Sequence, residues 1–466
     1  MPSRPRSVAL KRSVSVATLV AVASGCVSTQ TGRTLDRSYG VATARVREAS
    51  RRPTQESTVA EADLAGPVER DVVVAAAVER SPALAVMAHR ARALVHAGRA
   101  EGSLPPAELG FEAWNLPLAR PYALGEADMY MVELRQRFPA AGSLDARARA
   151  MAEEAQAMLA ELSSEERLVA ERAANAFADY VQAFAEKRLQ EGQIALLARM
   201  GQAVRARYTT GGSGLAEAAR IDVEVTKAQR ALARVGGDIA RSRATLNAVL
   251  RRPPGAALGE PREAPPETVR LSVEELIARA EANRGATLSA DARVRAAGAR
   301  REAAEAEARV PEFMVGLGYW QDPTMRPGVG VTASMSLPWL WGPNRERVRQ
   351  AEEEEAAEGA ARENAGLDTQ AEVSEAHARL LALEAQLSVI RGQALPATSR
   401  SMEALTAAFS TGNASLLEWV DVARSLLDLE MEMIVLHGDL ERGVASLERA
   451  VGTALPRTPL HEDSTP

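Results

Sequence analysis

The chain repeats itself at long range. Tyr208-Thr209-Thr210-Gly211 recurs as Phe409-Ser410-Thr411-Gly412, and Leu215 and Glu217 fall on Leu416 and Glu418 at the same offset. Upstream, Phe138-Pro139 recurs as Leu337-Pro338, and Gly142 as Gly342. A period of about 200 residues is too long for a solenoid unit and implies duplication of a whole structural unit. Residues 69–252 form the first copy and 271–453 the second, joined by a Pro/Gly-rich linker at 253–270. Each copy has one order: a helical stretch (Asp71 to Glu101, Ser272 to Arg309), two short strand-like segments, a very long helix, a Gly turn and a return helix.

The long helices are expected over Ser143 to Thr209 and Asn344 to Ser410. At 1.5 Å per residue each is about 100 Å long, beyond any compact domain. Val373, Ala376, Leu380, Leu383, Leu387 and Ile390 step by three and four, as a coiled-coil seam does. Phe177, Val181 and Phe184 do the same in the first copy. Pro396 removes a backbone donor and predicts a kink. Gly211-Gly212 and Gly412-Asn413 tolerate the positive φ of a helix reversal. The return helices run to about Leu250 and Val451.

The strand segments are read from period-two alternation. Val329, Val331, Ala333, Met335 and Leu337 alternate with glycines, Thr332 and serines; Phe313, Val315, Leu317 and Tyr319 precede them. In the first copy Tyr130, Val132 and Leu134 oppose Glu133, Arg135 and Arg137, and Leu109, Phe111 and Ala113 oppose Glu108, Gly110 and Glu112. Segments of this kind mark a transmembrane β-barrel. Of the chain's 6 Phe, 6 Tyr and 5 Trp, ten fall within 107–138 and 311–341, which suits bilayer interfaces. The competing arrangement is a soluble antiparallel sheet with an aromatic core. Four strands cannot close a barrel, and open edges are not viable in lipid, so the membrane reading requires oligomers.

At the N-terminus, Arg4, Arg6, Lys11 and Arg12 precede a short uncharged run, Ser13 to Ser24, that fits a secretory signal over residues 1–25. Ala23-Ser24-Gly25 before Cys26 resembles the lipobox of bacterial lipoproteins, with Ala23 where Leu is usual. Cys26 is the chain's single cysteine and the expected lipidation site; the alternative is an ordinary signal with a chance cysteine. In lipoproteins an Asp after the cysteine marks inner-membrane retention, and Val27 here implies export to the outer membrane. Residues 26–68 are expected to be a mostly irregular tether, and 454–466 a loose tail.

Catalytic and metal chemistry is not expected. The formal net charge of -6 argues against a nucleic-acid partner. A lone cysteine excludes multi-Cys metal sites and internal disulfides. His89 and His96 are two helical turns apart, and no Lys follows a phosphate-binding glycine loop. Gly316-Leu317-Gly318 and Gly328-Val329-Gly330 lie inside strands, where close backbone packing explains them. No serine sits in a nucleophile elbow, and the carboxylates of Glu352 to Glu355 point around a helix. The expectation is a protein without cofactor and without enzymatic activity.

Taken together, the doubled strand–strand–long helix–Gly turn–helix order, the corners Phe138-Pro139 and Leu337-Pro338, and the tip motifs resemble the TolC-like outer membrane efflux family over roughly Asp71 to Gly452. The resemblance implies a mainly α fold with a transmembrane β-barrel: a homotrimer whose 12-stranded barrel continues as a periplasmic α-helical barrel. It implies a passage for cargo, fed by a periplasmic adaptor and an inner-membrane efflux pump, with lipid of the outer membrane around the barrel. It also implies that the tips, Tyr208, Gly211, Leu215, Phe409, Gly412 and Leu416, receive the adaptor. The acidic positions six and nine residues after the second tip glycine, Glu418 and Asp421, would form a periplasmic gate. Their mutual repulsion would raise the pKa of some members, and Arg220, at the matching position of the first tip, would pair with them. The alternative from another class is a lipid-anchored periplasmic coiled-coil scaffold without a pore.

Overall fold

The computed structural model describes residues 27–50, 64–120, 122, 124–209, 215–322, 326–340 and 342–460. The duplicated order is present. Helices α1 (Thr29–Ser50), α2 (Arg70–Glu79) and α3 (Pro82–Glu101) precede strands β1 (Glu108–Trp114) and β2 (Met129–Phe138), then α4 (Ser143–Thr209) and α5 (Leu215–Val249). After the short strand β3 (Glu267–Thr268) come α6 (Val273–Asn283), α7 (Gly285–Arg309), β4 (Phe313–Gln321) and β5 (Gly328–Met335). Helices α8 (Asn344–Val389), α9 (Leu395–Thr411) and α10 (Leu416–Val451) and strand β6 (Thr458–Pro459) complete the chain. The leading stretch of each copy is a pair of helices, broken at Pro82 and at Arg284. Among the described residues no single helix is long and apolar enough to cross a membrane.

The chain divides into two units. The first holds residues up to 44, 88–159 and 289–364. Its sheet is antiparallel in the order β1-β2-β4-β5, so β1 and β5 are the edges. Gly142 (φ 87°) and Gly342 (φ 112°) make the corners where each strand pair hands over to its long helix, a backbone region that glycine enters without a Cβ clash. Beyond the corners α4 is lined with alanines: Ala152 and Ala155 pack with Leu35 of α1 and Val95 of α3, and ion pairs tie α4 to α7. Ala146, Ala148, Ala150, Ala152, Ala155, Ala292, Ala296 and Ala303 are buried. The ion pairs are Arg149–Glu302 (2.5 Å) and Arg295–Glu153 (2.8 Å). Each such exposed pair contributes at most about 1 kcal/mol.

The expected irregular tether is in fact helical over α1. Its stripe is Thr31, Leu35, Ser38, Ala42 and Val46, all buried. Gly98 of α3 and Gly102 just beyond it make room for this segment: a Cβ at Gly98 would lie 2.7 Å from Leu35 Cδ2, and one at Gly102 would strike Val27. The Ser28 amide donates to Asp145 Oδ1 (2.7 Å), and Arg99 pairs with Asp36 (2.8 Å).

The second unit holds residues 45–87, 160–288 and 365–466. It has a core for each copy. Val73, Ala76 and Ala77 of α2 pack on Phe177, Tyr180, Leu246 and Leu250. Leu276 and Ala280 of α6 pack on Leu380, Leu383, Leu440 and Leu447. The two cores are thus repeat-related versions of one arrangement, a short helix laid on a long hairpin. The expected kink at Pro396 takes the form of a π turn, Ile390–Ala394, just before α9. Leu395 N–H donates to Ile390 O across the widened turn, and Pro396, without an N–H, follows in the first turn of α9.

Residues 454–460 of the expected loose tail are tied down, while 461–466 lie outside the described residues. β6 pairs with β3, Leu455 is buried, and Arg457 bridges Glu441 and Glu448, both at 3.1 Å.

Candidate functional site

Two places concentrate the predicted functional residues. The first is the sheet. Its two faces differ because the strand pleat sends alternate residues to opposite sides. One face carries the cross-strand row Leu109, Leu134, Leu317, Val331, with Phe111, Val132, Tyr319 and Val329 in the next row. All eight are exposed in the single chain, Val331 by 74% and Leu317 by 54%. An apolar exposed surface of this extent, across all four strands, marks an interaction with membrane or protein. The opposite face carries Glu108, Glu112, Glu133, Arg135, Arg137, Thr332 and Ser334 among glycines.

The second place is the tip of the second hairpin, where the chain reverses at Gly412 (φ 85°). Gly412 N–H donates to Phe409 O (3.1 Å) and Asn413 N–H to Ala408 O (2.9 Å), closing α9. Ser415 then caps α10: its hydroxyl accepts from Glu418 N–H (3.3 Å), and Glu418 Oε2 accepts from Ser415 N–H (3.0 Å), a capping box. These hydrogen bonds from the Ser415 amide and hydroxyl hold the Glu418 carboxyl below its ordinary pKa. Within the protomer Glu418 is therefore shifted down, opposite to the expected mutual repulsion, because its carboxylate serves the helix end. Asp421 is exposed, with Arg424 Nη1 4.0 Å away. Arg220 is exposed on α5.

Among the cations that bridge the hairpins is Arg424, which donates to Glu224 Oε1 (2.6 Å); Lys227 donates to the same oxygen (2.9 Å). Burial raises the Glu224 pKa, but the hydrogen bonds from Lys227 and Arg424 outweigh it and the net shift is downward. Neither residue follows the 201-residue repeat, whose partners are Ser425 and Val223.

Phe409 and Leu416 are buried in the tip with Leu197, Met200, Val204, Ile221, Met402, Trp419 and Val420. They hold the hairpins together and present no surface. Arg207 stacks over the Phe409 ring (4.6 Å) and donates to Phe409 O (2.8 Å). Trp419, fully buried, donates from Nε1 to Thr406 Oγ1 (2.9 Å). Sequence reasoning passed over Trp419, although an isolated Trp in an aromatic-poor helix, facing Ala218 in the repeat, was a usable signal. The exposed apolar groups near the tips are Tyr208 (49%) and Leu417 (48%). Leu215 begins α5, while Gly211 and Cys26 lie outside the described residues. Among the described residues no three His, Cys, Asp or Glu side chains are grouped to hold a metal.

Residues 276–453 match the family model for outer membrane efflux protein. Residues 276–453 are an outer membrane efflux protein domain. The fold of the chain is TolC-like. It superposes on CusC with a TM-score of 0.71 at 16% identity, covering 86% of this chain and 96% of that one. The MtrE outer membrane channel of Neisseria gonorrhoeae matches with 0.66 at 17% identity, covering 86% and 95%. The outer membrane protein VceC of Vibrio cholerae matches with 0.66 at 16% identity, covering 83% and 96%. No curated protein matches by sequence. The efflux-domain match ends within the second copy, yet the TolC-like order extends through the first, as the internal repeat requires.

Proposed function

We propose that the chain is one third of an outer-membrane exit duct for tripartite efflux. Three sheets close a 12-stranded barrel, and the hairpins continue it as a helical barrel in the periplasm. The observation that carries this reading is the sheet: one face apolar and exposed across its central rows, the other carrying the charged side chains, with β1 and β5 as open edges. In lipid, unpaired edges cost several kcal/mol per group, and three copies set edge to edge remove them. The efflux domain and the TolC-like fold support the same reading, and with it a passage in place of an enzyme. A pore-free scaffold has no use for an apolar sheet face.

In this reading a periplasmic adaptor, itself fed by an inner-membrane pump, docks at the tips. Tyr208 and Leu215 with Gly211 and Gly412 form the contact, and Phe409 and Leu416 support it from within. Tyr208→Asp with Leu417→Asp should abolish adaptor crosslinking while trimers persist; undiminished crosslinking would count against the tips. Cys26 carries a diacylglycerol, and Cys26→Ser should lose radiolabelled palmitate; full label on that variant would sink the idea.

The deciding experiment is mass photometry and planar-bilayer recording of detergent-extracted protein. A species of three chains that conducts is expected, whereas a conducting monomer would overturn the trimer and a non-conducting trimer the duct. In the same recordings Glu418→Ala with Asp421→Ala should raise conductance, since both acids and Arg220 are assigned to the periplasmic constriction. Unchanged conductance and cation selectivity would place the gate elsewhere.

A further inference from the structure

The polar face of the sheet holds a carboxylate that the fold has gone to some length to accommodate. Across the strands the row through Glu133 reads Gly110, Glu133, Gly318, Gly330, so Glu133 has the only side chain in it. The adjacent row reads Glu108, Arg135, Gly316, Thr332. Glu133 is 8% exposed, and its side chain lies flat over Gly316 and Gly318. Thr332 Oγ1 donates to Glu133 Oε1 (2.8 Å), and Arg135 Nε lies 3.3 Å from Glu133 Oε2. A Cβ at Gly316 would collide with both Thr332 Oγ1 and Glu133 Oε1, and one at Gly110 would lie 3.2 Å from Arg135 Nη2. Alongside, the Trp320 indole covers Gly328 and Gly330; a Cβ at Gly328 would sit 2.6 Å from its Cε2. An aromatic ring laid over strand glycines restores the packing those glycines lack.

We infer that Glu133 and Arg135 form a self-cancelling charge layer on the barrel lumen, so that the barrel wall adds no ion preference of its own to that of the periplasmic constriction. The inference rests on the barrel reading above, in which the face opposite the lipid-facing one lines the passage. Charged side chains ringing a pore select permeant ions by sign, and lumenal substitutions in barrels tune selectivity. Here the ring is built of opposite charges in contact. A permeant ion meets the short-range field of three ion pairs and not the field of three like charges. The other charges of this face are Glu108, Glu112 and Arg137; Arg137 pairs with Glu312 (2.5 Å), and Glu112 accepts from Trp114 Nε1 (3.1 Å). The glycine rows keep the carboxylate down on the wall and leave the Arg135 guanidinium, 37% exposed, as the charge nearer the passage. Removing the carboxylate therefore uncovers a cation, and removing the guanidinium uncovers an anion.

The test is the reversal potential of single channels in a KCl gradient, for the parent, Glu133→Gln, Arg135→Gln and the double variant. Gln at 133 is isosteric and keeps an acceptor for Thr332, so the sheet is retained. Glu133→Gln should move the reversal potential toward the chloride equilibrium potential, Arg135→Gln toward that of potassium, and the double variant should return to the parent value. Conducting channels whose reversal potentials coincide with the parent in both single variants would overturn the layer. Shifts that do not cancel in the double variant would overturn the pairing. A parent that forms trimers but never conducts would remove the duct reading itself, and this inference with it.

Discussion

Leu317→Arg should keep the protein out of a membrane-inserted trimer. Leu317 stands in the middle of the row Leu109, Leu134, Leu317, Val331, on the exposed apolar face. A guanidinium near the bilayer midplane of a β-barrel costs about 2–4 kcal/mol, and a trimer carries three. Ser334→Arg, on the other face of β5, provides the control, because a charge there lies on the face that already carries Glu133, Arg135 and Arg137 and meets water. Heat-modifiable trimer in outer-membrane fractions should be lost for Leu317→Arg and kept for Ser334→Arg. Equal trimer yield from both would mean that the apolar face is not in lipid. If the face instead packs against another protein layer, Leu317→Arg should be the more damaging in detergent as well, which the same gels report.

The tip should be the place where a single truncation loosens the helical region most. Trp419→Ala removes a fully buried indole that touches both hairpins and leaves Thr406 Oγ1 without its donor. Losses of this kind cost about 3–5 kcal/mol, the spread reflecting how far the site collapses. Hydrogen exchange over 400–425 should accelerate strongly, while the sheet strands keep their protection. Unchanged exchange at the tip would show that Trp419 is not the hub its burial suggests. Because Phe409 and Leu416 belong to the same cluster, Trp419→Ala should also slacken the reversal at Gly412.

The sequence was most legible where one period ran uninterrupted. Alternation over 313–321 and 328–335 located β4 and β5 because every second side chain goes to one medium. Two corners and one long helix, α4, were placed to the residue. α1 was not legible, since its buried stripe mixes Thr31 and Ser38 with Leu35, Ala42 and Val46, and the apolar count stays too low for a periodic signal. The orientation of the tip residues was not legible for another reason. An apolar side chain beside a reversal can point into the hairpin or out of it, and Phe409 and Leu416 point in while Tyr208 points out. Ser415 and Glu418 carried a local signal that was available all along: Ser-x-x-Glu ahead of an apolar run reads as a capping box. Arg424 and Glu224 had no such marker, because pairing between hairpins depends on rotation about the helix axes.

The π turn before α9 changes what the second hairpin can address. The buried heptad Val373, Leu380, Leu387, carried onward in steps of seven, points to Ser401 and Ala408, which lie outside the buried set. The side chains that enter the tip cluster are Met402 and Phe409, each one residue later. A single surplus residue advances the helical phase by about 100°, and the widened turn at Ile390–Ala394 absorbs it without interrupting the rod. Upstream of that vernier the seam meets α6 and α10; downstream it meets the other copy's hairpin. The first copy's α4 has no such phase step, so the two copies supply one arm with a fixed bearing and one whose bearing is reset partway along.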